Sequence, residues 1–168
     1  MEQMKMDELK SEVLEILQQD CRYPLEKLSV MTGKPLETVA QAIDEMEEDG
    51  VILRYRPIVN WDKLHVNRVE AMIEVRVTPQ RDMGFDAIAG RIYRFDEVKS
   101  VFLMSGSYDL LVLVEASTLK ELALFVSEKL STLDTVTGTA TSFVLKRYKQ
   151  DGVIFEGGQS DGRLVVSP

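Results

Sequence analysis

Apolar residues recur over the first fifty positions at the spacing of a helical face. Met6, Leu9, Val13, Ile16 and Leu17 predict a helix over residues 6–20, with Asp7 and Glu8 placed to favour its N-terminus. Pro24 opens a second pattern carrying Leu25, Leu28 and Met31, which Gly33 can end with a left-handed cap after about 9 residues. Pro35 starts a third, with Leu36, Val39, Ala40, Ile43 and Met46 on one face and Gly50 as its stop. Only Gly33 and Lys34 separate the second pattern from the third, so the three helices form a tri-helical helix-turn-helix. Residues 51–60 then alternate and are rich in β-branched side chains. They predict a strand or small wing with Arg54 and Arg56 on the same side.

After a polar connector at residues 61–67 the period changes to two. The pattern predicts a strand at 69–77, a helix near 84–93, a hairpin within 97–116, a helix near 119–130 and a strand at 136–148. That order is βαββαβ, the ferredoxin-like motif. The helices would pack through Phe85, Ile88, Ala89 and Ile92, and through Leu119, Leu122, Ala123, Val126 and Leu130. In the hairpin, Ser105-Gly106-Ser107 reads as the turn. Its second strand is apolar at both parities, with Leu110, Val112 and Val114 on one face and Leu111 and Leu113 on the other. One layer of helices covers one face, so the other needs a partner.

The fold class is therefore α+β. A winged helix-turn-helix spans residues 1–60, a linker 61–67, a ferredoxin-like domain that oligomerises through its open sheet face 68–148, and an extended tail 149–168, which can add an edge strand to a neighbouring subunit. The chain is 45% hydrophobic and 29% charged, the balance of a globular protein. No apolar run approaches the roughly 20 residues of a membrane span and the start has no signal-peptide core, so a cytoplasmic protein is expected. One cysteine, Cys21, forms no internal disulfide and reads as a small buried hydrophobe; one histidine, His65, reads as a surface connector residue. No metal or cofactor is expected, and no Gly-rich phosphate loop or Ser-His-Asp set suggests an enzyme. Net charge is -8 and sits at the front, where residues 1–64 carry 8 Lys and Arg against 14 Asp and Glu.

Residues 20–28, then Val39, Ile43, Glu47 and Gly50-Val51-Ile52, then Tyr55, Val59-Asn60 and Lys63-Leu64, resemble the Lrp/AsnC (feast/famine) family of regulators. Met104-Ser105-Gly106-Ser107-Tyr108-Asp109-Leu110-Leu111 is similar to the Gly-x-aromatic-Asp hairpin of that family's effector domain. The resemblance covers residues 6–150. It implies a regulator that binds double-stranded DNA and a homodimer formed through the open sheet face. Higher oligomers up to octamers, with an amino acid held between dimers, belong to the same expectation. The family pattern usually has an Arg where this chain has Ala42, which predicts weakened DNA binding.

On this reading Lys34, Thr38 and Gln41 lie at the groove-entering end of the third helix, and Gln41 can read an adenine edge. Arg54, Arg56 and Lys63 can reach phosphates. The acidic run Asp44, Glu45, Glu47, Glu48 and Asp49 lies at the opposite end of that helix. It is a solvated face, or a surface that docks a basic partner and keeps the domain off nonspecific DNA. Gly106 can let a ligand approach the backbone, while Asp109 either pairs with an ammonium group or caps turn amides. Thr139, Thr141 and Ser142 can supply hydroxyls to the same pocket. The resemblance implies effector contacts in the Ser105 to Asp109 loop and at strand positions near Ser142, which makes Gly106, Tyr108, Asp109 and Ser142 the candidates. Two alternatives stay open: an amino-acid sensor that has lost DNA binding, and an enzyme resembling sirohaem decarboxylases, which depend on histidines absent here.

Overall fold

The computed structural model describes residues 2–64, 66–79 and 84–155. It divides into two compact units, Met1–Ile58 and Val59–Pro168. His65 and the tail beyond Phe155 lie outside the described residues.

In the first unit α1 (Glu2–Gln19), α2 (Leu25–Thr32) and α3 (Leu36–Glu48) pack around Leu9, Val13, Ile16, Leu28, Val39, Ala42 and Met46. Pro24 and Pro35 stand at the N-caps of α2 and α3, where a missing N–H costs nothing. Gly33 ends α2 at φ 65, a left-handed geometry only glycine adopts freely. In α2 only Leu28 is buried, whereas Leu25 and Met31 are exposed. A helix this short touches its two neighbours along one narrow line.

The expected strand at 51–60 does not form. Val51 and Ile52 both donate to the Met46 carbonyl and wrap the end of α3, and the chain then runs on without a ladder partner. Alternation suits a strand, but a strand exists only when another pairs with it. Leu53 is left 87% exposed. Cys21 is half-buried in the turn after α1, not buried.

The second unit begins with a 3₁₀ turn at Trp61–Leu64 and continues as β1 (Val69–Val77), α4 (Phe85–Ile92), β2 (Val98–Leu103), β3 (Leu110–Ala116), α5 (Leu119–Leu124) and β4 (Val136–Phe143). The antiparallel sheet has the order β2-β3-β1-β4, the ferredoxin-like arrangement. Its helix-covered face is closed by Ala71, Ile73, Val75, Leu110, Val112 and Val114, all nearly inaccessible. On the opposite face Leu111 and Leu113 stay half-buried, while Phe102 is 49% and Met72 44% exposed.

Two differences from the sequence pattern have local causes. Helix α5 widens into a π-helix over Phe125–Leu130. The wider turn places the next inward residue after Phe125 five positions on, so Phe125 and Leu130 are both buried; upstream of it Leu122 is buried and Leu119 is 56% exposed. Phe125 meets Phe95 edge-on at 5.5 Å. Strand β4 stops at Phe143, five residues before the expected end at 148. After Val144 bonds to the Glu70 carbonyl the chain turns away and forms a hairpin, β5 (Lys149–Gln150) with β6 (Val153–Ile154). Asp151 (φ 46) and Gly152 (φ 83) supply the two positive-φ turn positions. The segment expected to be an extended tail thus opens with a folded ribbon.

Candidate functional site

The turn between α2 and α3 is set by Ser29. Its carbonyl accepts from the N–H groups of Gly33 and Lys34, and its hydroxyl donates to the Lys34 carbonyl at 2.6 Å. This places Lys34, Thr38 and Gln41 along one side of the start of α3 at helical spacing. Lys34 and Gln41 are exposed and Thr38 is half-buried. Gln41 Nε2 donates to Glu45 Oε1 at 2.9 Å, and Glu45 Oε2 pairs with Lys10 of α1 at 2.8 Å.

Ala42, expected to mark a lost DNA contact, is fully buried against α1 and α2. Its side chain belongs to the core of the first unit. The start of α3 also carries an acid. Glu37 lies exposed in the first turn of α3, which carries five carboxylates and no basic residue. Arg54 and Arg56 are exposed on the extended segment, which Tyr55 ties back by donating to Glu47 Oε1 at 2.8 Å. Burial first, and that bond second, push the Tyr55 phenol up to about 12. Lys63 is exposed on the 3₁₀ turn of the second unit.

In the second unit the loop between β2 and β3 carries Gly106, Tyr108 and Asp109. Asp109 completes the sheet where β3 has not yet begun. Its N–H donates to the Val75 carbonyl, its carbonyl accepts from Met104, and its Oδ2 accepts from the Val77 N–H at 2.8 Å. The β1–β4 register slips between Arg76 and Val77, and the carboxylate covers the amide beside the slip. Arg76 Nε donates to the Ser107 carbonyl at 3.3 Å. Gly106 is exposed, has no positive φ, and a Cβ built there would meet nothing within 4 Å. Tyr108 is half-buried.

Ser142 does not join them. It sits opposite Met72 on β4, whereas the loop bonds to β1 at Val75 to Val77, three to five residues and roughly 10 to 17 Å further along. Thr139 and Thr141, opposite Val75 and Ile73, lie on the helix-covered face, and Ser142 lies on the open one. One pocket in one protomer cannot take all three hydroxyls, because successive strand residues face opposite ways. Thr141 instead lines an open groove of about 430 Å³ with Leu122, Val126, Ser127 and Phe143.

At the far end of the sheet is a cluster that sequence reasoning missed. Glu70 and Glu115 are directly opposite on β1 and β3, a like-charge pairing that costs stability unless each is neutralised. Arg147 pairs with Glu70 and Arg68 with Glu115. Arg68 stacks on Trp61 and Arg147 on Phe155, and Asn60 donates to the Phe155 carbonyl. The first residues of the unit are thereby clamped to the ribbon that closes it. Lone glutamates within apolar strands were the available signal. Among the described residues no group of three or more His, Cys, Asp or Glu could hold a metal ion, and no helix is long and apolar enough to cross a membrane.

Comparison with known proteins bears on both units. Residues 6–52 match the family described as winged helix-turn-helix DNA-binding, and residues 70–154 the Lrp/AsnC ligand binding domain. The uncharacterized HTH-type transcriptional regulator YugG of Bacillus subtilis is 49% identical over 166 residues, 98% of this chain and 100% of that protein. Among solved structures, the transcriptional regulator NMB0573 of Neisseria meningitidis in its L-Met complex superposes with a TM-score of 0.69 at 22% identity, over 84% of this chain and 91% of that one. AsnC of E. coli gives 0.67 at 22% identity, over 85% and 94%. The chain is a member of the Lrp/AsnC family of HTH-type transcriptional regulators, with an N-terminal DNA-binding unit and a C-terminal ligand-binding domain.

Proposed function

We propose that this regulator senses an amino acid through the 105–109 loop and that its signal changes DNA binding by Lys34, Thr38, Gln41, Arg54, Arg56 and Lys63. The observation that carries the sensing half is Gly106. Neither its backbone angles nor its surroundings require glycine, so the residue suits an approach to the backbone from outside the protomer. Asp109 and Tyr108 flank that approach. Ser142 is too far along the sheet to serve the same loop and would reach an effector only from another copy of the chain.

The half-open sheet supports a homodimer built over Leu111, Leu113, Phe102 and Met72, and dimers can then associate further, as far as an octamer. The protein acts in the cytoplasm and binds without catalysing a reaction. A thermal-shift screen of the twenty amino acids tests the sensor: at least one should stabilise the protein, and a flat response to all would overturn it. Light scattering on wild type and Phe102→Glu tests the interface. Wild type should exceed the 19.0 kDa of one chain, and the charged variant should dissociate toward it. A wild-type monomer would overturn the interface.

A second reading, a sensor without sequence-specific DNA binding, draws on the five carboxylates of α3. Salt dependence separates the two. Each phosphate neutralised contributes about -0.9 to the slope of log K against log salt, so Arg54, Arg56 and Lys63 together give about -3 per protomer. Gel shifts with genomic fragments should recover that slope. Retention of no fragment at low salt, with or without amino acids, would favour the second reading.

A further inference from the structure

Gln41 already has one partner for its amide, Glu45 one turn further along α3. A carboxylate only accepts hydrogen bonds, so the Gln41 amino group must be the end that faces Glu45, leaving the amide oxygen and one N–H for other partners. Lys10 reaches across from α1 to the second oxygen of the same carboxylate, so the brace spans two helices of the first unit. Lys10 first, and the Gln41 amide second, hold the Glu45 carboxyl below its usual range, and at neutral pH a glutamate is ionised and only accepts.

We infer that Glu45, braced by Lys10, is a positioning residue that presents Gln41 to adenine in the major groove. This rests on the DNA-reading proposal above. Adenine offers one acceptor, N7, and one donor, the N6 amino group, matching the N–H and oxygen that Gln41 has left. Guanine offers two acceptors, N7 and O6. An unbraced glutamine could turn both N–H groups toward them, but the braced one has a hydrogen committed and would set its oxygen against O6. The brace therefore favours adenine over guanine at one base pair. Holding one such side chain in its bound rotamer is worth about 2- to 10-fold.

Lys10 and Glu45 are the diagnostic positions because neither has to touch DNA. A purely structural role for the pair would change melting temperature and leave base preference alone. Loss of the Glu45 carboxylate should also leave nonspecific binding equal or stronger, since one negative charge has gone, whereas partial unfolding would weaken all binding together.

The experiment is selection of bound duplexes from a randomised pool by the full chain, followed by competition between adenine and guanine at the enriched position, with melting curves for every variant. Gln41→Ala should abolish the adenine preference. Glu45→Ala should reduce it about 2- to 10-fold at that position alone, Lys10→Ala less, and Glu45→Gln, which keeps an acceptor, least. An unchanged adenine-to-guanine ratio in folded Glu45→Ala, or an equal loss at every position, would overturn the brace. No sequence enriched by wild type would overturn the DNA-reading proposal itself.

Discussion

Asp109 offers the sharpest test, because the sequence left it two roles and the structure gives it a bond. Replacing it by alanine removes the acceptor of the Val77 N–H, a 2.8 Å bond to a charged group in a half-buried place. Bonds to charged groups contribute about 1.5 to 3 kcal/mol, and partial exposure moves this one to the low end, about 1 to 2 kcal/mol. For a unit of this size that is a melting-temperature loss of about 4 to 10 °C. Asp109→Asn keeps an oxygen for the amide and should lose less than half as much. The assay pairs calorimetry of both variants with hydrogen exchange at Val77, whose amide should exchange faster in the alanine variant. A melt within about 1 °C of wild type, with Val77 equally protected, would refute the reasoning and leave the carboxylate to the ligand. If Asp109→Asn melts like wild type yet no longer responds to an amino acid, the charge serves the effector while the oxygen serves the sheet.

Gly106→Ala should leave the melting temperature within about 2 °C of wild type, because the backbone tolerates alanine there and a Cβ has open space. If the loop meets a ligand, the same change should abolish the thermal shift produced by the stabilising amino acid. The Tyr55 phenol, raised to about 12 by burial and by its bond to Glu47, should give a late component near pH 12 in an absorbance titration. Its unfolded value is near 10, so its contribution to stability is fully present below about pH 10 and lost as the pH rises through 12. Tyr55→Phe should remove that late component, and a titration that keeps it would assign the raised pKa to another tyrosine.

Sequence by itself determined the order of elements and most of their ends. Helical spacing, prolines at first turns and glycines past last turns are local facts, and they located α1 to α4 and the central hairpin. The same pattern found the apolar second face of β3, since parity along a strand needs no neighbour to be counted.

What required tertiary structure was everything that depends on a partner. Residues 51–60 alternate like a strand, yet no strand among the described residues pairs with them. The π-turn set the next core residue after Phe125 at Leu130, five positions on, a phase shift that apolar spacing does not announce. The Asp151-Gly152 turn was readable, but its strands are two residues long and too short to show a period. For the candidate sites the gap has the same origin. Ala42 belongs to the core and Glu37 to the exposed first turn, which only the packing of α3 decides. Ser142 and Asp109 share a sheet but neither an edge nor an end, because β1 runs between the strands that carry them. The Glu70 and Glu115 cluster becomes visible only when register sets two glutamates side by side and calls in Arg147 and Arg68 from distant positions.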